Sequence, residues 1–201
     1  MTKIKQLLFL GVVAVALCAF PTSLTLAQQQ DDEKEEEVAG KEQEKDDKDF
    51  EEPDKLTEQE RKEIEKKACP EVDLKYKADT DKSTHPTPEP SPGKAMIYVI
   101  RPTKIGNKIQ TKLAVDGEWK GTNRGNNYFF FELDPGEHYV CSKSENRSVL
   151  KFTVEAGKTY YLQQKIKLGF MKARNKVVLL GDEEGKTGLA KCHPSIFEVK
   201  K

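Results

Sequence analysis

Histidine is scarce in this chain and scattered: His85, His138 and His193 are all there is in 201 residues. A metal centre needs clustered ligands. Cys192-His193 is adjacent instead of at ligand spacing, so no metal and no other cofactor is expected. No Gly-x-Ser-x-Gly elbow occurs. Cys141 falls on an expected strand without a cue for a lowered thiol pKa. No pair of carboxylates stands out from the turn and surface acids. Gly121-Thr122-Asn123-Arg124-Gly125 contains glycine, but no helix follows it to cradle a phosphate. No catalytic residue is expected, and the chain reads as a non-enzyme.

Net charge is also missing, since 34 basic and 34 acidic residues cancel. The cancellation hides an asymmetry. Residues 31–55 carry five Lys and fourteen Asp/Glu, a net of 5 − 14 = −9, whereas residues 94–201 carry twenty Lys/Arg and eleven Asp/Glu, a net of 20 − 11 = +9. An acidic arm precedes a basic domain.

What is present begins with a targeting segment over residues 1–27. Lys3 and Lys5 give a positive start, and Leu7 to Phe20 is an apolar run too short for a comfortable membrane span. Thr25-Leu26-Ala27 ends on a small residue, so cleavage is expected after Ala27. Cys18 raises a lipidation alternative. Bulky Leu17 precedes it and it lies inside the apolar run, so it reads as an ordinary residue of that run. Export makes disulfides permissible. Three cysteines remain after cleavage, enough for one pair at most. Cys69–Cys141 and Cys69–Cys192 are the sequence-distant pairings, and spacing does not choose between them.

Residues 28–55 hold almost no apolar side chains and are expected to be disordered. Residues 56–69 read as a short helix. Thr57 and Glu60 suit a capping box, Glu58–Lys62 and Glu63–Lys67 are acid-before-base pairs, and Cys69-Pro70 ends the helix. Residues 70–93 hold an edge segment over Asp73 to Ala78 and a stiff proline-spaced connector, Thr84 to Pro92, read as a plain linker.

Residues 94–201 are the main domain. Ala95 to Arg101 is nearly all apolar and reads as a central strand. Val115-Asp116-Gly117-Glu118 is a strong hairpin signal. Leu133-Asp134-Pro135-Gly136 is a second turn. Between them Tyr128-Phe129-Phe130-Phe131 suits a strand in a sheet core. Further strands fall at Val149 to Glu155, Thr159 to Leu168 and Lys176 to Leu180. Glu183 to Lys191 reads as a short helix or irregular chain, and Ile196 and Phe197 lie in a tail able to add a last strand. The class is all-β: a small antiparallel β-sandwich of about seven or eight strands, preceded by a signal peptide, a disordered acidic arm and one short helix.

Gly93-Lys94-Ala95-Met96-Ile97-Tyr98-Val99-Ile100-Arg101-Pro102, Val115-Asp116-Gly117, Asn127 to Phe131, Asp134-Pro135-Gly136-Glu137-His138 and Glu155 to Tyr161 together resemble the exported bacterial domain of unknown function 2846, over roughly residues 85–185. The upstream cysteine, the Asp81 to Pro86 stretch and a cysteine after Pro-Gly-Glu-His resemble one branch of that family. This implies Cys69–Cys141 as the disulfide. A looser likeness is to PEGA-type β-sandwich modules of bacterial surface proteins. Neither family carries an assigned catalytic residue.

Lys143, Arg147, Lys151, Lys165, Lys167, Lys172, Arg174 and Lys176 are numerous, but they alternate with core residues as solvent-facing positions do. A nucleic-acid partner is not expected. Tyr98, Trp119 and Tyr128 are read as core in preference to a sugar- or peptide-binding face. The expectation is an exported protein, periplasmic or extracellular, that serves an unidentified envelope component as a binding or structural module. A second reading is peripheral contact with a membrane surface or acidic polymer through the +9 domain, opposed by the −9 arm.

Overall fold

The structure is a computed structural model that describes residues 56–168 and 173–201. The expected targeting segment with Cys18 and Ala27, the acidic segment 28–55 and Lys172 lie outside the described residues. Among the described residues ten strands form two sheets. Their ranges are β1 Tyr76–Thr80, β2 Ala95–Arg101, β3 Thr111–Val115, β4 Glu118–Asn123, β5 Asn127–Leu133, β6 Gly136–Lys143, β7 Arg147–Val154, β8 Thr159–Leu168, β9 Ala173–Leu180 and β10 His193–Val199. Helix α1 spans Glu58–Ala68 and helix α2 spans Asp182–Ala190. The larger sheet has the order β1-β10-β5-β2-β8-β9 and the smaller β4-β3-β6-β7. The chain is an all-β sandwich, as its turn spacing predicts. The surplus over the expected strand count is the edge pair β1–β10, which joins antiparallel from Tyr76↔Val199 to Thr80↔Ser195.

Not every ladder is antiparallel. β2 pairs with β8 in parallel, and β10 touches β5 in parallel at His193↔Asn127 and Pro194↔Tyr128. The cause is the route of the chain, which alternates between sheets. β3–β4 and β6–β7 are hairpins of the smaller sheet, and β2, β5 and β8–β9 return each time to the larger one. A strand that leaves and re-enters across the sandwich need not reverse its neighbour's direction.

The two turns do different jobs. Val115 pairs with Glu118 around Asp116 (φ 51°) and Gly117 (φ 81°), a two-residue loop with both φ positive. That geometry matches the twist of the flanking strands. The Asp134-Pro135-Gly136 turn instead carries the chain from β5 in one sheet to β6 in the other, a corner and not a hairpin.

β2 is buried along its whole length, which explains a near-continuous apolar strand. Ile97 and Val99 face the layer between the sheets, with Leu113, Val115, Phe129, Val140, Phe152, Val154, Leu162 and Val177. Met96, Tyr98 and Ile100 face outward and join Tyr128, Tyr161, Leu189 and Cys192 beneath α2. The aromatic run follows the same alternation. Phe129 and Phe131 belong to the inner layer, and Tyr128 and Phe130 to the outer one. A third cluster, Ile64, Ala68, Ala114, Cys141 and Val149, lies under α1 on the smaller sheet.

Candidate functional site

Polar side chains hold this sandwich together at four places, and a fifth group of them forms a cationic strip. The first place is the seat of α1. Thr57 caps the helix: Glu60 N donates to Thr57 Oγ1 (3.2 Å), and Thr57 N donates to Glu60 Oε2 (2.8 Å). At the other end Gly117 N donates to the Ala68 carbonyl (3.2 Å). Cys69 is bonded to Cys141 with Cα atoms 5.1 Å apart, across 72 residues of sequence. The pairing is the one the family likeness implies. Cys192 is a free buried thiol, and burial pushes its pKa up to about 12. It is an inert filler of the outer aromatic cluster.

The second place joins the two turns. The His138 ring sits between the turns, with Nδ1 2.6 Å from Asp116 Oδ2 and Nε2 2.8 Å from the Asp134 carbonyl oxygen. The other carboxylate oxygen of Asp116 accepts from Tyr139 N (2.9 Å). This histidine is a lock between the Asp-Gly and Asp-Pro-Gly turns. Its sequence signal is Asp116 in the hairpin turn together with a histidine two residues past Pro-Gly, because Asp134 contributes only its carbonyl.

The third place is the polar interior at one end of the sandwich. Arg101 is fully buried. Its guanidinium donates to the carbonyls of Ile109 (2.6 Å), Ile105 (2.9 Å) and Gly106 (2.7 Å), which gather the loop after β2 around it. Burial lowers its pKa to about 10. Asn123 Nδ2 donates to the Val99 carbonyl (3.0 Å), and Gln164 Nε2 donates to Ser142 Oγ (3.1 Å), so these amides tie the sheets to each other.

The fourth place is the proline-spaced connector, which is a strap and not a plain linker. Tyr98 Oη donates to the Pro88 carbonyl (2.7 Å), and Tyr128 Oη donates to the Pro86 carbonyl (2.9 Å). The His85 ring lies 5.0 Å from that of Tyr128. Asp81 starts the strap by accepting from Ser83 and Thr84, and those hydrogen bonds bring its carboxyl down to about 2. Tyr98 and Tyr128 are core residues under this strap, and desolvation pushes both phenols up to about 12. Trp119 is half-buried against α1 and donates from Nε1 to the Val72 carbonyl (2.8 Å).

The basic residues divide into two groups. Lys143 pairs with Asp73 (2.9 Å), Arg147 with Glu65 (2.6 Å) and Lys151 with Glu137 (2.8 Å). Two of these three acids come from the α1 segment, so that segment neutralises the outer face of β6–β7. Lys165, Lys167, Arg174 and Lys176 stand elsewhere, on β8 and β9. There the register sets Lys165 opposite Lys176 and Lys167 opposite Arg174. His193 is exposed at the start of β10. Among the described residues no group of three or more His, Cys, Asp or Glu is placed to hold a metal ion.

Residues 91–177 match the profile of a family described as protein of unknown function (DUF2846). The match runs from the end of the strap into β9 and leaves α1, β1, α2 and β10 outside. No curated protein matches the chain.

Proposed function

Through residues 91–177 this chain belongs to the family of unknown function DUF2846, and from that premise we propose that it is an exported, non-enzymatic β-sandwich acting as an envelope-associated binding or structural module. The observation that carries the reading is how its polar chemistry is used. His138 joins two turns, His85 sits on the strap, Arg101 gathers a loop and Gln164 bridges the sheets. Each of these four side chains is engaged in holding parts of the fold together. A disulfide between α1 and β6 is compatible with an oxidising compartment.

The test is fractionation of the producing cell, with the N-terminus and thiol state of the isolated chain read by intact mass. The expected chain begins after Ala27, lies outside the cytoplasm, and carries Cys69 and Cys141 as a disulfide. A full-length, fully reduced chain in the cytoplasm would refute the reading.

A second reading is favoured by the cationic strip on β8–β9. In it the basic domain contacts an anionic envelope polymer or membrane surface, and the −9 arm competes. Removing residues 31–55 is then expected to strengthen salt-sensitive retention on an anionic matrix. Unchanged, salt-insensitive retention counts against it.

A further inference from the structure

From Lys158 to Lys176 the sequence has six cations, and no Asp or Glu falls anywhere in residues 156–181. Four of the six are described on strands, and the fold puts them together. β2 follows β8 only as far as Ile100↔Gln163, whereas β8 and β9 stay paired to Leu168↔Ala173. Past Gln163 the two strands therefore run on as a ribbon. Gln164, Ile166, Asn175 and Val177 are its buried inner face. Lys165, Lys167, Arg174 and Lys176 alternate with them on the outer face.

Directly opposed like charges weaken a ladder. This ribbon has two such pairs in succession, whatever other partners each lysine engages. A local rule broken twice at one surface points to a use for that surface. Cations at i and i+2 along a strand stand about 7 Å apart, and facing strands about 5 Å. The result is a strip two charges wide that runs lengthwise along the ribbon.

We propose that the strip of Lys165, Lys167, Arg174 and Lys176 is a binding surface for a linear phosphodiester polymer of the envelope. The inference rests on the second functional reading above and gives it a place and a ligand. A chain-like polyanion lies along a narrow strip and meets successive cations with successive phosphates. Arg174 supplies a planar fork that fits phosphate oxygens, and the lysines act as point charges. Single-stranded nucleic acid also carries phosphodiesters, but its binding surfaces add aromatic platforms for the bases. The outer-face pair next along this ribbon is Gln163 and Val178.

The experiment measures retention of the full chain on an immobilised glycerol-phosphate polymer across a salt series. Four phosphate contacts predict a roughly 50-fold loss of affinity between about 50 and 200 mM salt. The variant K165Q/K167Q/R174Q/K176Q is expected to lose that salt dependence and at least tenfold in affinity. Its thermal midpoint is expected to hold or rise, because the opposed charges are gone. K165Q/R174Q provides a milder version and is expected to fall in between. K62Q/K77Q/K158Q/K186Q removes the same charge from other surfaces and is expected to bind like the parent.

If the parent binds and the strip variants bind equally well, the strip is wrong and the broader reading stands. Equal losses in both fourfold variants overturn the strip in favour of net charge. A parent that ignores the polymer but binds vesicles of equal phosphatidylcholine and phosphatidylglycerol, or that prefers single-stranded DNA, overturns the ligand. A parent that binds no anionic matrix ends both this inference and the reading it rests on.

Discussion

Cys192 and Asp73 illustrate how much a residue's neighbours decide its chemistry. Cys192 lies in the outer cluster with Tyr98, Tyr128 and Leu189, and its desolvated thiol is pushed up to about 12. The thiolate is the reactive form. Native protein at mildly alkaline pH is therefore expected to leave Cys192 unlabelled by a thiol reagent, with labelling appearing only on unfolding. Rapid labelling of the native chain at Cys192, mapped by peptide mass, would contradict the packing around it. Asp73 is subject to opposing effects. Partial desolvation raises its pKa, but hydrogen bonds and charge from Lys112 and Lys143 outweigh it and leave the carboxyl below its usual value. A carboxyl lowered by folding contributes stability above its unfolded pKa, near pH 4, and loses that contribution as pH falls through the folded value. Asp73→Asn is thus expected to lower the urea midpoint at neutral pH. The gap to the parent chain is expected to narrow steadily below about pH 4. A gap that stays constant with pH would remove Asp73 from the acid response.

At the scale of elements, legibility followed periodicity. The alternation in β7 and β8, the apolar run of β2 and the capping box of α1 each repeat a pattern that one element dictates alone. α2 did not read clearly, because Gly185 and Gly188 in nine residues look like helix breakers. The structure gives their reason. A Cβ on Gly185 would stand between 2.2 and 2.5 Å from atoms of Tyr161, and one on Gly188 would stand 2.6 Å from Ile100 Cδ1. The helix is laid almost directly on the sheet, and only glycine on that face allows it. Gly185→Ala is expected to cost about 1–3 kcal/mol by overpacking, although alanine is the better helix former. Gly181→Ser, at the uncapped helix start with open space around it, is expected to gain a few tenths of a kcal/mol. Chemical denaturation of the two variants checks both signs, and a stabilised Gly185→Ala would disprove the close approach. The strap was missed for a related reason. Prolines at alternate positions announce a stiff extended chain, but the two tyrosines that fasten it lie on β2 and β5, and nothing in the spacing shows that their hydroxyls turn back onto its carbonyls. The His138 lock escaped notice likewise, since each turn reads as complete without the other.

For the whole molecule, the main consequence of the fold is that the N-terminal segment of the described chain is part of the sandwich and not an appendage. Ile64 and Ala68 cover Ala114, Cys141 and Val149, and the disulfide fastens that cover to β6. The same segment supplies Glu65 to Arg147 and Asp73 to Lys143. A chain that starts at Tyr76 would lose the disulfide, the apolar cover and both acids together. The first loss alone is about 2–4 kcal/mol, and re-exposing the contact made by Ile64 adds about 1.5–3 kcal/mol. Against a typical domain stability of about 5–15 kcal/mol this is a large fraction. The truncated chain is expected to melt far lower and, where it stays folded, to be retained more strongly on anionic matrices than a chain lacking residues 31–55 alone, since Lys143 and Arg147 then add to the cations of β8–β9. Cys69→Ser separates the contributions, because it removes the covalent tie but leaves the acids and the apolar face of α1. It is expected to lower the melting temperature with little change in retention. Should the single substitution raise retention as much as the truncation does, α1 would be held in place by the disulfide alone. The ion pairs with β6 and β7 would then contribute nothing to masking that side of the domain.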